Sequence, residues 1–233
     1  MGCMTARHVL HVISDKQRHR IPLLDALVQS ALGGADVLQV RDKKAPVLET
    51  YDFCQNLVVA CRDQGVKPWV MVNDRVDLAI ALDLDGVHLA SKSLPASIVR
   101  HVRDNARWTG AIGCSVHSLE EALAATQSGV DYLTFGHVYA SESHRAQSPR
   151  GLRDLARIVD AVDIPVLAIG GIDATNVVPV LDTGCSGVAV IGSVLNHPEP
   201  RVAAEAIRNQ MERCTTPPKY SFLKFNSAFN EGR

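Results

Sequence analysis

Eight short apolar runs alternate with eight amphipathic stretches along nearly the whole chain, and few folds accommodate that rhythm. The runs cover residues 8–14, 37–40, 69–72, 86–89, 109–114, 132–135, 166–169 and 188–191. Short, continuous and rich in β-branched residues, they read as strands buried on both faces, which requires a parallel sheet covered by helices. Helical patterns at 21–32, 48–64, 76–82, 95–104, 119–126, 151–162, 174–182 and 200–212 supply that cover. Eight strand–helix units with short connections predict an α/β fold, a (β/α)8 TIM barrel of eight parallel strands, over an open doubly wound sheet. Local signals agree. Ser118-Leu119-Glu120-Glu121 is a capping box, Gly33-Gly34, Gly129 and Gly184 follow helices, and Pro165 heads a strand.

The barrel is expected to occupy residues 1–214 as one domain. Residues 215–233, with two prolines and no helical period, are expected to form a loosely ordered C-terminal tail. The 233 residues, 46% hydrophobic, suit one core of this type. With 24 basic against 25 acidic side chains, the chain has no field for nucleic acid or an anionic membrane. Six cysteines at 3, 54, 61, 114, 185 and 214, without a CxxC pair, read as reduced thiols. No run is long enough to span a bilayer and the start carries no leader-like apolar segment, so a cytoplasmic protein with a small-molecule partner is expected. A homo-oligomer is compatible with these features.

In a parallel barrel the strand C-termini face the active site. Two of them end in glycine turns, Ile169-Gly170-Gly171 and Ile191-Gly192-Ser193. Glycine lets backbone N–H groups approach an anion, and the following helix adds its dipole, so Gly170, Gly171, Gly192 and Ser193 predict a phosphate cup. Across the mouth, Gln39, Arg41 and Lys43 share one parity and would share one face if their strand continued. Asn73-Asp74-Arg75 reads equally as a helix cap or as part of a site. His88 and Cys114, flanked by apolar residues, read as core. His137 follows the strand-ending Gly136, where an exposed imidazole would serve as general acid/base. No G-x-S-x-G, H-E-x-x-H or P-loop motif occurs.

Six segments in register, Gln39-Val40-Arg41-Asp42-Lys43, Asn73-Asp74-Arg75, Gly86-Val87-His88-Leu89, Asp131-Tyr132…Phe135-Gly136, Ala168-Ile169-Gly170-Gly171-Ile172 and Gly187-Val188-Ala189-Val190, resemble the thiamine phosphate synthase superfamily. The resemblance runs from His8 to Val194 and implies a barrel acting on thiazole phosphates. Synthases of the superfamily join a pyrimidine diphosphate to a thiazole phosphate using Mg²⁺. They hold the metal with the Asp that matches Asp74 and a second Asp, in whose place Ser93 stands here. They also carry Pro where His137 stands, and then a Thr-x-Thr-Lys segment where this chain has Ser141-Glu142-Ser143-His144.

The thiazole tautomerase, or TenI-like, branch is matched by Gly136-His137-Val138-Tyr139, Ser93-Leu94-Pro95 and Ser115-Val116-His117-Ser118. That branch implies an isomerase, with no metal or other cofactor, that aromatises a carboxythiazole phosphate by proton transfer through His137. On this resemblance the leading expectation is a tautomerase, with Gln39, Arg41, Lys43, Asn73 and Ser115 touching substrate. The alternatives are an Mg²⁺-dependent synthase using Asp74 and a non-catalytic ligand-binding barrel.

Overall fold

The computed structural model describes residues 7–141 and 148–222. Eight parallel strands, β1 (Val9–Ile13), β2 (Val37–Val40), β3 (Trp69–Asn73), β4 (Gly86–Leu89), β5 (Ala111–Val116), β6 (Tyr132–Gly136), β7 (Val166–Ile169) and β8 (Gly187–Val190), close in chain order into a barrel. Around it lie α1 (Leu23–Leu32), α2 (Val47–Asp63), α3 (Val76–Ala81), α4 (Ala96–Ala106), α5 (Leu119–Gln127), α6 (Gly151–Ala161) and α7 (Val177–Leu181). A short α8 (Gly192–Leu195), which the periodicity does not reveal, precedes α9 (Pro200–Met211). The expected fold is therefore the observed one. No helix among the described residues is long and apolar enough to cross a membrane.

The capping box at α5 forms with a shift: Ser118 Oγ accepts from Glu121 N at 3.1 Å, while the Glu121 carboxylate accepts from His117 N at 2.6 Å. A second local device recurs around the barrel. The residue before an even-numbered strand is Asp36, Asp85 or Asp131, and each carboxylate accepts a backbone N–H from the preceding strand. The donors are Leu10 at 2.8 Å, Val70 at 2.8 Å and Ile112 at 2.7 Å. Asp36 is also paired with the buried Arg208 of α9, which donates further to the carbonyls of His8 and Gly34, each at 2.9 Å. One charge pair thus ties α9 to the start of β1 and β2.

At the fourth such position, before β8, stands Ser186, and its hydroxyl turns outward to the carbonyl of Tyr220 at 2.7 Å. The segment from Thr215, expected to be loose, is in fact fastened across the bottom of the barrel as far as it is described. Lys219 N donates to Gly184 O at 2.9 Å, and Lys219 Nζ donates to the carbonyls of Val159 and Asp160 at 2.8 and 2.9 Å. Phe222, 1% exposed, enters the floor, with its ring 4.8 Å from Tyr132 edge-on and 5.5 Å from Trp69. The attachment rests on isolated anchors without periodicity, so composition alone reads it as a tail. Residues 223–233 lie outside the described residues.

Val9, Val37, Met71, Ala111 and Leu167 complete this apolar floor, while the larger core fills the space between strands and helices. Burying and edge-packing a phenyl ring is worth several kcal/mol. Phe222→Ala is therefore expected to lower unfolding free energy by about 3 kcal/mol in urea titrations, and Ser186→Ala by about 1 kcal/mol. Wild-type midpoints for both variants would show that the strap adds nothing to the barrel.

Candidate functional site

Strand alternation turns Gln39, Asn73, His88, Ser115 and Thr134 toward the barrel interior above the apolar floor, in the register Asn73↔His88 and Ser115↔Thr134. They form two connected sets. In the first, Gln39 Nε2 donates to Asn73 Oδ1 at 3.0 Å and Asn73 Nδ2 donates to Asp74 Oδ2 at 2.5 Å. Asp74 ends β3 with φ 62°, a left-handed turn that a short Asp side chain tolerates better than most. The turn leaves its carboxylate exposed at the rim, where it also accepts from Ser93 Oγ, itself held by the Ala90 N–H at 2.6 Å.

In the second set, His88 Nδ1 meets Tyr132 OH at 3.0 Å, and Nε2 meets Ser115 Oγ at 2.9 Å and Thr134 Oγ1 at 3.3 Å. Tyr132 O–H donates to Met71 Sδ at 3.3 Å, so the network assigns the ring proton to Nδ1 and leaves Nε2 to accept from Ser115. Burial, reinforced by the Arg41 charge and opposed by Asp74, lowers the His88 pKa to about 4. His11, inward-facing on β1 and fully buried, is lowered to about 3 by burial and then by the proximity of His88. Both rings are neutral at physiological pH, so the layer is polar without carrying charge.

The opposite rim is the glycine pair, with φ +104° at Gly170 and +67° at Gly171. A Cβ at Gly170 would overlap the Cβ of His137 and lie 2.6 Å from its Cα, so glycine is required there on two counts. Nearby, Gly192 opens α8, and the Ser193 hydroxyl is buried without a hydrogen-bond partner. A Cβ at Gly192 would lie 3.0 Å from Asn196 Nδ2 and 3.9 Å from Arg18 Nη1. Arg18 thus adds a cation to this rim. It sits in the loop after β1, paired with Asp15 at 3.5 Å, and no motif marks it in sequence.

Two predicted features differ. His137 is buried, at 3% exposure, because the chain beyond Gly136 stays bonded along β7. Val138 N donates to Ile169 O at 2.9 Å and Tyr139 N to Gly170 O at 3.0 Å, which holds the Cα and Cβ of His137 against the Gly170 turn. Lys43 does not share the inward face of Gln39, because β2 ends at Val40 and Lys43 is exposed in the next turn. Arg41, half-buried and tied to Ser14 Oγ at 2.7 Å, is near enough for its charge to act on His88. The Cys114 thiol is pushed up by burial, in keeping with an inert role. Of the segment after β6, Ser143 and His144 lie outside the described residues.

No cluster of three or more His, Cys, Asp or Glu side chains able to hold a metal occurs among the described residues. The Asp74 carboxylate and Ser93 Oγ nevertheless offer hard oxygen donors at the mouth. Mg²⁺ is commonly bound by one or two carboxylates together with substrate phosphates, and this rim fits such a shared site.

Comparison with known proteins places this geometry. Residues 10–194 match the family model described as thiamine monophosphate synthase. A thiamine-phosphate synthase of Roseiflexus sp. (strain RS-1) is 39% identical over 201 residues, 85% of this chain and 83% of that protein. The thiamine-phosphate synthase of Pyrococcus furiosus is 38% identical over 203 residues, 87% of this chain and 94% of that protein. A solved thiamine phosphate pyrophosphorylase from Pyrococcus furiosus superposes with a TM-score of 0.80 at 37% identity, covering 90% of this chain and 98% of that one. These findings overturn the expected tautomerase. Relatives similar over nearly the whole chain are named synthases.

The two buried imidazoles make stability depend on pH. Their folded-state values, about 3 and about 4, lie below the ordinary 6.5, so the unfolded chain takes up protons first on acidification. Their contribution is complete above pH 6.5 and is lost as pH falls toward 4 and then 3. Urea titrations are expected to lose about 1.4 kcal/mol per histidine per pH unit below pH 6, with His11→Gln removing roughly half of that slope. A pH-independent midpoint between 7 and 4.5 would contradict the neutral burial of these rings.

Proposed function

The chain belongs to the thiamine monophosphate synthase family, and from that premise we propose that it is a thiamine-phosphate synthase, a transferase joining a pyrimidine diphosphate to a thiazole phosphate. A carbon–nitrogen bond forms as the carbon–oxygen bond to the diphosphate breaks, and pyrophosphate leaves. The observation that carries the reading is the pairing of two unlike rims. A rim carboxylate backed by the amides of Asn73 and Gln39 faces a glycine turn built for an anion.

Gly170, Gly171, Gly192 and Ser193 hold the thiazole phosphate, using backbone N–H groups and the unpartnered Ser193 hydroxyl. Gln39, Asn73 and Ser115 present donors and acceptors to the polar edge of the pyrimidine. Neutral His88 orients Ser115 by accepting a hydrogen bond from its hydroxyl at Nε2, and Thr134 Oγ1 lies 3.2 Å from the same oxygen, which keeps a lone pair for substrate. Arg41 balances substrate anionic charge at close range, and exposed Lys43 contributes only to the field around the mouth. His137 acts as a wall that shapes the Gly170 turn. Asp74, with Ser93, would hold magnesium jointly with the substrate diphosphate. Such an ion supplies charge neutralisation that makes the diphosphate a better leaving group. The protein is read as a cytoplasmic enzyme acting on small molecules.

Ser93 stands where the synthase pattern has a second carboxylate, so the shared site is short of one negative charge. Pyrophosphate release from the two substrates should require Mg²⁺, and Asp74→Asn should reduce kcat/KM by more than about 100-fold. Ser93→Asp should lower the Mg²⁺ concentration needed for half-maximal rate. Gly170→Ala should raise KM for the thiazole phosphate through its overlap with His137. Absence of Mg²⁺-dependent pyrophosphate release by the unsubstituted protein would overturn the assignment.

A further inference from the structure

The loop between β1 and α1 holds the Arg18 guanidinium by one edge and presents another part of it to Gly192. Asp15 opens the loop as a turn, its Oδ1 accepting from Gln17 N at 2.9 Å and its carbonyl from Arg18 N at 3.1 Å. The second carboxylate oxygen, Oδ2, lies 3.5 Å from Arg18 Nε, and the two side chains are only 20% and 22% exposed. Two residues on, Arg20 Nε donates to the carbonyl of Asn196 at 3.1 Å, which fastens the loop to the end of α8. The other bases of the loop are engaged elsewhere. Lys16 pairs with Asp42 at 2.5 Å, and His19 Nδ1 lies 2.8 Å from the carbonyl of Ile21.

Arg18 Nη1 lies 3.9 Å from the point that a Cβ on Gly192 would occupy, and Asn196 Nδ2 lies 3.0 Å from the same point. A cation and an amide donor thus converge on this glycine from the side where it carries no side chain. Next in the chain, the Ser193 hydroxyl is buried without a hydrogen-bond partner. Guanidinium, amide and hydroxyl are gathered at one backbone turn. Backbone N–H groups are neutral, whereas a phosphate monoester carries nearly two negative charges at pH 7, so a turn of N–H groups alone leaves that charge without a counterion. A guanidinium offers a planar fork that matches two phosphate oxygens, and hydrogen bonds between ionised groups are roughly twice as strong as neutral ones.

We propose that Arg18 is a specificity-determining residue that binds the phosphate of the thiazole substrate, so that the site selects the phosphorylated thiazole over the free alcohol. Asn196 donates beside it, and Asp15 is the positioning residue, holding the guanidinium at Nε so that Nη1 is directed at Gly192. The inference rests on the phosphate cup of the proposed synthase and adds to its backbone donors the cation that a dianion requires. Arg18 belongs to the β1–β8 side of the barrel and Asp74 to the end of β3. Removing its charge should therefore weaken one substrate and spare the other.

Titrations followed in ¹H–¹⁵N spectra measure binding of the thiazole phosphate and of the thiazole alcohol without turnover. Arg18→Gln should weaken the phosphate about 30-fold and Arg18→Lys about fivefold, with affinity for the alcohol within roughly twofold in both variants. Arg62→Gln removes an exposed charge from the outer face of α2 and should change neither affinity, which separates a contact from the overall charge of the protein. In pyrophosphate-release assays Arg18→Gln should raise KM for the thiazole phosphate by about the same 30-fold, with KM for the pyrimidine diphosphate within roughly twofold. Unchanged phosphate affinity in Arg18→Gln, an equal loss for phosphate and alcohol, or an equal loss in Arg62→Gln would overturn the proposal. Failure of the unsubstituted protein to bind the thiazole phosphate would overturn it together with the phosphate cup. A loss confined to the phosphate, in a protein that releases no pyrophosphate, would uphold the role of Arg18 and remove the synthase reading.

Discussion

Closure of the ladder between β8 and β1 is the constraint on which the rest depends. Val9 pairs with Gly187 and Val12 with Val190, so every inward side chain shares one enclosed interior of fixed size. Large residues are admitted there only where a neighbour gives way. Tyr132 reaches across the barrel because β5 offers Gly113 beside it, and a Cβ at that position would overlap the phenol ring. Tyr132 in turn divides the interior. Phe222 and the aliphatic floor lie beneath it, and its hydroxyl is the lowest member of the hydrogen-bonded layer above.

That layer is assembled almost without formal charge. Two imidazoles sit in it as neutral rings, and directed bonds link Gln39 to Asn73 and His88 to Ser115. Charge is confined to the rim, where Asp74 on one side and Arg41 and Arg18 on others remain accessible to ionic ligands. An interior of this kind can take in a polar ring system without stranding a buried ion. Ser93 adds a neutral hydroxyl oxygen beside the Asp74 carboxylate at that rim.

The barrel was legible from the sequence because its rhythm is a property of many residues at once, and strand limits differ from the reading by only one or two positions. Those small differences decide the site. Extending β3 through Asn73 makes that residue part of the inward wall, where the sequence leaves open whether it caps a helix or belongs to a site. Ending β2 at Val40 removes Lys43 from the face it was expected to share with Gln39. His137 and the strap before Phe222 escaped because each depends on a few backbone hydrogen bonds between distant segments, which leave no periodic trace.

The strand-head aspartates bear on how the chain is completed during synthesis. Asp36, Asp85 and Asp131 each secure their strand with a partner already made, from the strand just before. Ser186 is the exception, for its partner is the carbonyl of Tyr220, thirty-four positions later. The last strand is thus finished well before the segment that fastens its beginning, and the aromatic plug arrives later still. A ribosome-bound chain that has reached β8 holds all eight staves of the barrel with its base open, and emergence of Phe222 seals it.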